Sequence, residues 1–497
     1  MSSTNNRRSC VVIGAGAAGL SAGAHLSQHG FNVTIVEAND RLGGRICQHP
    51  GWPTWGPIDL GAEYIHGSKT NLFELAKREG WQLGDSIYTF EDLAVKGDRN
   101  GRDYIHHRGR LYKMTRESEC KDIVNTLKIL EDINGLPYAY PDNAHPAKAS
   151  PVLSLDADMS LKDYLDGRGD VTEEVRDLVR GVICQEMAVS MSLCGIQELA
   201  RWSDCWVCGT DNYRMKGGYC LLIKYFLDQL GDGAKVKTSW PVTQVFYNDD
   251  ERKVKVVNCH GDVLTAETAI ITLPHSILRA GDVSFIPPLP DRKLSAIQKI
   301  HMESSHKICC RFRKPFWPDF GVILCSSGFM GQIHEEKRFS SYSMATDVAV
   351  AKDSSIITLG GKEEEEKKYD DESGCYFISG YQSGESAAKS EGMTTEERTK
   401  KFLAQLDEIF GSPECPTPAT DSFLGSVGKH WSDEPYIRGA YISPSVGASE
   451  EDLRSLAASV GQSLFFAGEG TSLDMPACVE AAVNTGKRAA EQVMQSY

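Results

Sequence analysis

The run Gly14-Ala-Gly16-Ala17-Ala18-Gly19 constrains this chain more than any other feature of its sequence. It follows the apolar segment Cys10-Val-Val-Ile13 and opens a stretch rich in Ala and Leu, Leu20 to His29, which Gly30 stops. Phe31 to Val36 then alternates as a strand and ends at Glu37. Strand, glycine turn, helix and strand make one βαβ opening of about 30 residues. In such a turn Gly14 permits the tight bend, Gly16 lets the backbone approach a pyrophosphate, and Gly19 lets helix and strand pack closely. The free N–H groups and positive dipole end at the helix start favour phosphate. Glu37 stands close to the spacing of about 20 residues expected of a ribose-binding carboxylate. The pattern predicts an α/β, Rossmann-like dinucleotide-binding unit.

The remaining pattern places that unit at both ends of the chain. The length of 497 residues allows about two to three folding units. Helices are expected around Glu117 to Asn134, Val171 to Gln185, Gly218 to Leu230 and Thr394 to Phe410. Strands are expected at Lys235 to Thr238, Val242 to Tyr247, Lys253 to Asn258, Thr268 to Leu273 and His306 to Phe312. Ser463-Leu-Phe-Phe-Ala467 reads as a buried strand running into Gly468-Glu469-Gly-Thr471, and Val479 to Gln495 as a closing helix. The first and last segments look like one sheet, and the middle does not. The expected division is therefore a discontinuous cofactor-binding domain at about 1–88, 231–300 and 425–497, with a mixed α+β substrate-binding domain at 89–230 and 301–424. A charge run, Lys362-Glu-Glu-Glu-Glu-Lys-Lys368, marks a solvated insert at about 360–372.

Composition excludes some partners. A formal net charge of -15 argues against nucleic acid, which needs a basic surface, and is compatible with a cationic substrate drawn in by an acidic field. The first residues are polar and basic and run directly into the glycine turn, so no signal peptide is expected. No run of about 18 apolar residues predicts a membrane span. The final residues form neither a peroxisomal tripeptide nor a prenylation box. The fifteen cysteines are scattered and odd in number, as in a reducing compartment. Cys205-Trp-Val-Cys208 has redox or half-zinc spacing, but no second pair completes a zinc site, so no metal is expected. A cytoplasmic location follows from these signals, and they leave the oligomeric state open.

After Glu37 comes Ala-Asn-Asp-Arg41-Leu-Gly-Gly-Arg45, a second glycine turn flanked by arginines that could add positive charge near a pyrophosphate. This string, together with Asp59-Leu-Gly61-Ala62-Glu63-Tyr64-Ile-His66-Gly67 and Phe466-Ala-Gly468-Glu469-Gly-Thr471, resembles the flavin-containing amine oxidases. That group includes polyamine oxidases, monoamine oxidases, L-amino-acid oxidases and histone lysine demethylases, and the chain is most similar in feel to the polyamine oxidases. The resemblance implies FAD as cofactor. Gly14, Gly16, Ala17, Ala18, Gly19, Glu37 and Arg45 would hold its ADP part. Gly61, Ala62, Glu63 and Tyr64 would lie along the flavin, and Val242 would meet the adenine through its backbone. Gly468 and Glu469 would lie near the ribityl chain and pyrophosphate. Val479, at a helix N-terminus, would donate to the pyrimidine edge, where the helix dipole favours an anionic reduced ring. Ala440 stands where monoamine oxidases carry the flavin-linked Cys, which implies non-covalent binding.

The same resemblance implies amine oxidation: a C–N bond becomes an imine, and O2 is reduced to hydrogen peroxide. Lys307, in Ser-His-Lys307-Ile followed by Pro315-Phe-Trp317, resembles the family's flavin-facing Lys. A buried Lys would have a lowered pKa and could order a water. His66 matches the position of a His in animal polyamine oxidases and could bind or tune a substrate amine. Tyr441 resembles the aromatic wall beside the flavin. Glu186 resembles a substrate-contacting Glu that would pair with a distal ammonium. The family's usual aromatic before the last helix is replaced by Met475 and Cys478, which cannot complete a two-ring cage. An L-amino-acid oxidase would instead need an arginine to clamp a carboxylate, for which Arg201, Arg214 and Arg311 are open. A flavin desaturase and a flavin-binding protein without oxidase activity are further readings.

Overall fold

The computed structural model describes residues 8–52, 56–87, 102–115, 117–134, 158–206, 208–209, 211–336 and 376–497. The expected charged insert at 360–372 lies outside them.

The strand Ser9–Ile13 ends at Gly14, and the helix Ala17–Gln28 follows at once. This helix is made almost wholly of Ala, Gly, Ser and Leu, so it can sink into the molecule with ten of its twelve residues buried. The returning strand Asn32–Val36 pairs in parallel with the first. The complete parallel sheet has five strands, in the order Ala234–Lys237, Asn32–Val36, Ser9–Ile13, Thr268–Ile271 and Leu464–Phe466. It draws strands from both ends of the chain and from the middle, so the expected discontinuous α/β layer is present. The first strand lies at the centre, with the chain leaving to either side of it. That is the switch point at which open α/β sheets bind ligands. The C-terminal helix Val479–Gln495 packs against the first helix at very short range. Ser21 donates to the carbonyl of Val483 at 2.9 Å, and a Cβ on Gly486 would lie 2.2 Å from the Ala18 carbonyl.

A second, seven-stranded mixed sheet runs in the order Phe423–His430, Ser305–Phe312, Tyr376–Ser383, Gln332–Glu336, Val322–Cys325, Tyr104–His107 and Arg110–Lys113. Every residue of Ser305–Phe312 is buried, which fits its place between two pairing strands. A small sheet of Tyr64–His66, Asn212–Met215 and Leu83–Ile87 connects the two layers.

The expected helix at Val171 to Gln185 takes a different form. It starts at Glu173, capped by Thr172, and turns at Val179 into a π-helical segment that ends at Cys184. At Gly181 the backbone comes close to the neighbouring sheet, where a Cβ would meet the Cys325 carbonyl at 2.2 Å. The wider turn of a π-helix is often found beside functional sites, and Glu186 lies two residues beyond its end. Among the described residues no helix is long and apolar enough to cross a membrane.

Candidate active site

One cavity of about 620 Å³ runs from the glycine turn to the seven-stranded sheet. Of the residues singled out in the sequence, Gly14, Gly16, Ala17, Ala18, Glu37, Arg45, Gly61, Ala62, Glu63, Tyr64, Val242, Gly468, Glu469 and Val479 line it, as do His66, Glu186, Lys307 and Tyr441. Of the expected cofactor-binding residues, Gly19 is the exception. It sits one layer back, where a Cβ would lie 1.9 Å from the Gly14 carbonyl, so it serves the helix–strand contact expected of the third glycine.

At the turn end, Gly14 has φ +107°, a conformation that favours glycine. The first helix begins at N-cap Gly16 with no side chain capping its leading N–H groups. Such an end suits an anion. The Glu37 carboxylate accepts from the backbone N–H of Ala15 at 2.8 Å and of Asn39 at 2.9 Å. Burial pushes its pKa up, against the pull of those two N–H groups and of Arg41. Arg45 donates to Glu469 at 2.8 Å and to the Ala440 carbonyl at 2.9 Å, joining segments about four hundred positions apart in the chain. The C-terminal helix also opens on the cavity. Its N-cap is Cys478, whose Sγ accepts from the Ala481 N–H at 3.4 Å. A bare helix start, a glycine cradle, a buried carboxylate and a second helix start along one channel fit an elongated dinucleotide.

At the sheet end, Lys307 projects from Ser305–Phe312 and its Nζ donates to Glu63 Oε2 at 2.6 Å. Arg214 Nε lies 2.7 Å from the other oxygen of Glu63, and its Nη1 lies 2.8 Å from Glu336. Arg214 Nη2 also donates to the Tyr64 hydroxyl at 2.6 Å, and Glu336 accepts from Ser379. Two cations and two anions thus balance one another in a buried network. Burial alone would raise the carboxyl of Glu63, but Arg214 and Lys307 hold it down at about 2. For Lys307 the outcome differs from the expectation of a lowered pKa. Burial pulls it down, but Glu63 and Glu336 outweigh burial and hold it above its ordinary value. His334, on the cavity wall, is pushed down to about 3 by burial and by Arg214. Asp59 is pushed up to about 7, first by burial and then by Glu63.

His66 Nδ1 lies 2.6 Å from Asn212 Oδ1, so that nitrogen carries the proton. Burial lowers its pKa, which keeps the ring neutral. Tyr441 donates to the backbone carbonyl of Glu186 at 2.8 Å and receives the Tyr381 hydroxyl at 3.3 Å. Met475 is buried against Cys208 and Cys478. Cys478 alone of the altered pair lines the cavity, and Tyr381, bonded through its hydroxyl to Tyr441, lines it too.

The sequence pattern did not mark Tyr381, His334, Glu336 or Asn212, and it raised Arg214 only as a carboxylate clamp. These residues come from three separate strands, and no spacing connects them. Arg201 is committed to Glu198 at 2.9 Å and Arg214 to the network above. Among the described residues Arg45 is the arginine that lines the cavity.

Residues 17–494 match the family described as flavin containing amine oxidoreductase. The chain is 27% identical over 492 residues to polyamine oxidase 5 of Oryza sativa subsp. japonica, covering 97% of this chain and 87% of that protein. It is 26% identical over 496 residues to lysine-specific histone demethylase 1 homolog 2 of the same plant, covering 98% of this chain but 57% of the relative. Against protein FLOWERING LOCUS D of Arabidopsis thaliana the identity is 26% over 502 residues, with 99% and 56% covered. The chain therefore spans little more than half of these last two relatives. In fold it is similar to cyclohexylamine oxidase from Brevibacterium oxydans, with TM-score 0.74, 20% identity, and 98% of this chain and 99% of that one covered. Putrescine oxidase bound to putrescine gives TM-score 0.72 at 20% identity, with 98% and 99% covered.

Proposed function

Since the chain belongs to the flavin-containing amine oxidoreductase family, we propose that it is an FAD-dependent amine oxidase. It converts the C–N bond of a small amine to an imine, with O2 reduced to hydrogen peroxide. The observation that carries this reading is the single cavity reaching from the Glu37 carboxylate to the Lys307 ammonium. FAD, when bound, supplies the acceptor for an electron pair, which no side chain here can provide.

The residues of the channel divide the work. Gly14, Gly16 and the uncapped start of Ala17–Gln28 would hold the pyrophosphate, and Glu37 the ribose hydroxyls. Val242 would meet the adenine through its backbone. Arg45 and Glu469 hold each other and would frame the middle of the cofactor. Val479 would offer a main-chain N–H at a positive helix end. Ala440 has no nucleophile, in keeping with non-covalent binding.

At the reaction end, Tyr441 and Tyr381 present a polar-tipped aromatic wall to an amine. His66, held neutral with its proton on Nδ1, leaves Nε2 as the atom that can accept a proton from an arriving ammonium. Lys307 would order a water at the cavity floor. Glu186, farther along the wall, would attract a second ammonium, which favours a polyamine over a monoamine. An amino-acid substrate is less well served, since Arg201 and Arg214 are both committed to carboxylates of the chain.

A peroxide-coupled assay of the FAD-loaded protein tests this directly. Spermine, acetylated polyamines, simple monoamines and L-amino acids would each be offered. Peroxide should appear first with a polyamine. Peroxide with L-amino acids alone would move the assignment to that class, and none from any of them would overturn the oxidase reading.

A further inference from the structure

We infer that Glu63, paired on one side with Arg214 and on the other with Lys307, is a positioning residue that fixes Lys307 as a permanent cation at the floor of the cavity. The inference rests on the amine-oxidase reading only for what that cation is used for. The clamp itself is read from geometry. Lys307 Nζ lies 2.6 Å from Glu63, Arg214 lies 2.7 Å from the same carboxylate, and Arg214 is held in turn by Glu336 at 2.8 Å. Both carboxylate oxygens of Glu63 are thus used inside the protein. Although it lines the cavity, its charge is already balanced there, so it acts through Lys307.

Among the described residues, the other titratable groups named around Lys307 are paired or neutral. On the facing strand, Lys429 is opposite Lys307 in register, but it is tied to Glu434. Tyr381, opposite on the other side, is kept neutral by burial, as are Tyr64 and the Cys309 thiol on the same strand as Lys307. His334 is neutral, pushed down to about 3. That leaves Lys307 and Arg214 against Glu63 and Glu336, two charges of each sign. Asp59 is the one reserve. It is pushed up to about 7, in part by Glu63 itself, so it could ionise and replace a lost Glu63 charge.

This count fixes what removal must do. With the Glu63 charge gone and Asp59 unable to replace it, one buried positive charge is uncompensated. Arginine does not release its proton in proteins, whereas a desolvated lysine does. Lys307 must therefore give up its proton near the working pH.

The test uses the FAD-loaded protein and three forms: the parent, Asp59→Asn/Glu63→Gln, and the same pair with Lys307→Met added. Thermal melts would be recorded across pH. In the double variant the folded state loses the Lys307 proton while the unfolded chain still holds it, over about pH 7 to 10. Where the unfolded state binds more protons, stability rises with pH. Its melting temperature should therefore climb over that range relative to the parent, and the triple variant should run parallel to the parent. Turnover of the double variant should gain a loss toward alkaline pH that the parent lacks. A double variant that melts in parallel with the parent overturns the clamp, whatever the amine assay shows. A clamp that appears in the melts while no amine is oxidised would sink the oxidase reading alone. If the double variant does not fold, recovery of folded, flavin-loaded protein in the triple variant upholds the coupling, and failure to recover it overturns the inference.

Discussion

Lys307 and Gly19 show how differently two residues of one site can be fixed. Lys307 has a chemical place, at the meeting of Glu63 and the cavity. Replacing it by Met should leave FAD bound, because every proposed phosphate and ribose contact lies at the far end. Turnover should fall by about 10²-fold or more, the usual scale for losing a preorganised charged donor at a reacting centre, and unchanged turnover with amine would remove Lys307 from the mechanism. Gly19 has a steric place. Gly19→Ala would put a methyl 1.9 Å from the Gly14 carbonyl, so the turn must open. Weaker FAD retention on gel filtration is expected, with flavin kept at parental levels as the contrary result. Both residues were legible in the sequence, one from the glycine spacing and one from its resemblance to a family strand. The charge state of Lys307 was not. It depends on Arg214 and Glu336, which the sheets bring together from positions more than a hundred residues apart, and spacing along the chain carries no trace of that.

The elements that decide the site are two helices and a kinked third. Ala17–Gln28 and Val479–Gln495 each aim an N-terminus at the cavity, and they can do so together only because their backbones nearly touch. Gly486→Ala would set a methyl 2.2 Å from the Ala18 carbonyl. Overpacking of this kind costs about 1–3 kcal/mol, so the melting temperature should drop and flavin should dissociate more readily; a variant with parental melting and flavin content would show that the helices have slack. Both helices were readable from their Ala-rich composition and their Gly and strand boundaries. The helix leading to Glu186 was readable only in part. Its cap and apolar spacing mark a helix, but the π-helical segment Val179–Cys184 lies where Gly181 meets the Cys325 backbone. That is a tertiary contact, invisible to local periodicity.

Among the described residues, wholly or partly buried neutral histidines shape the response to acid. His334 is pushed down to about 3 and His301 to about 4, in each case mainly by burial, from an ordinary 6.5. His306 is also lowered by burial. Between those values and 6.5 the unfolded chain binds protons that the folded chain refuses, so stability falls as pH is lowered through that window. Asp59, pushed up to about 7, and Glu37, also raised by burial, work in the opposite direction, but they are outnumbered by the lowered histidines, which also include His66, His275 and His430. The melting temperature should therefore decline steadily below about pH 6.5, and His301→Gln, which can still accept from Arg279, should flatten part of that slope. A flat profile down to pH 5 would contradict this assignment. The overall architecture was the most legible level, because the glycine turn and the terminal strand together specify a sheet closed from both ends. The layer bearing Lys307 was less so, since its strands are ordered by pairing rather than by sequence.

The most direct measurement is anaerobic titration of the purified, FAD-loaded protein with a polyamine while its visible absorbance is followed. The yellow flavin band should bleach in proportion to the amine added and return when air is admitted. A protein that stays colourless after FAD is supplied, or a band that no amine bleaches, would contradict the assignment of this cavity to flavin-linked amine oxidation.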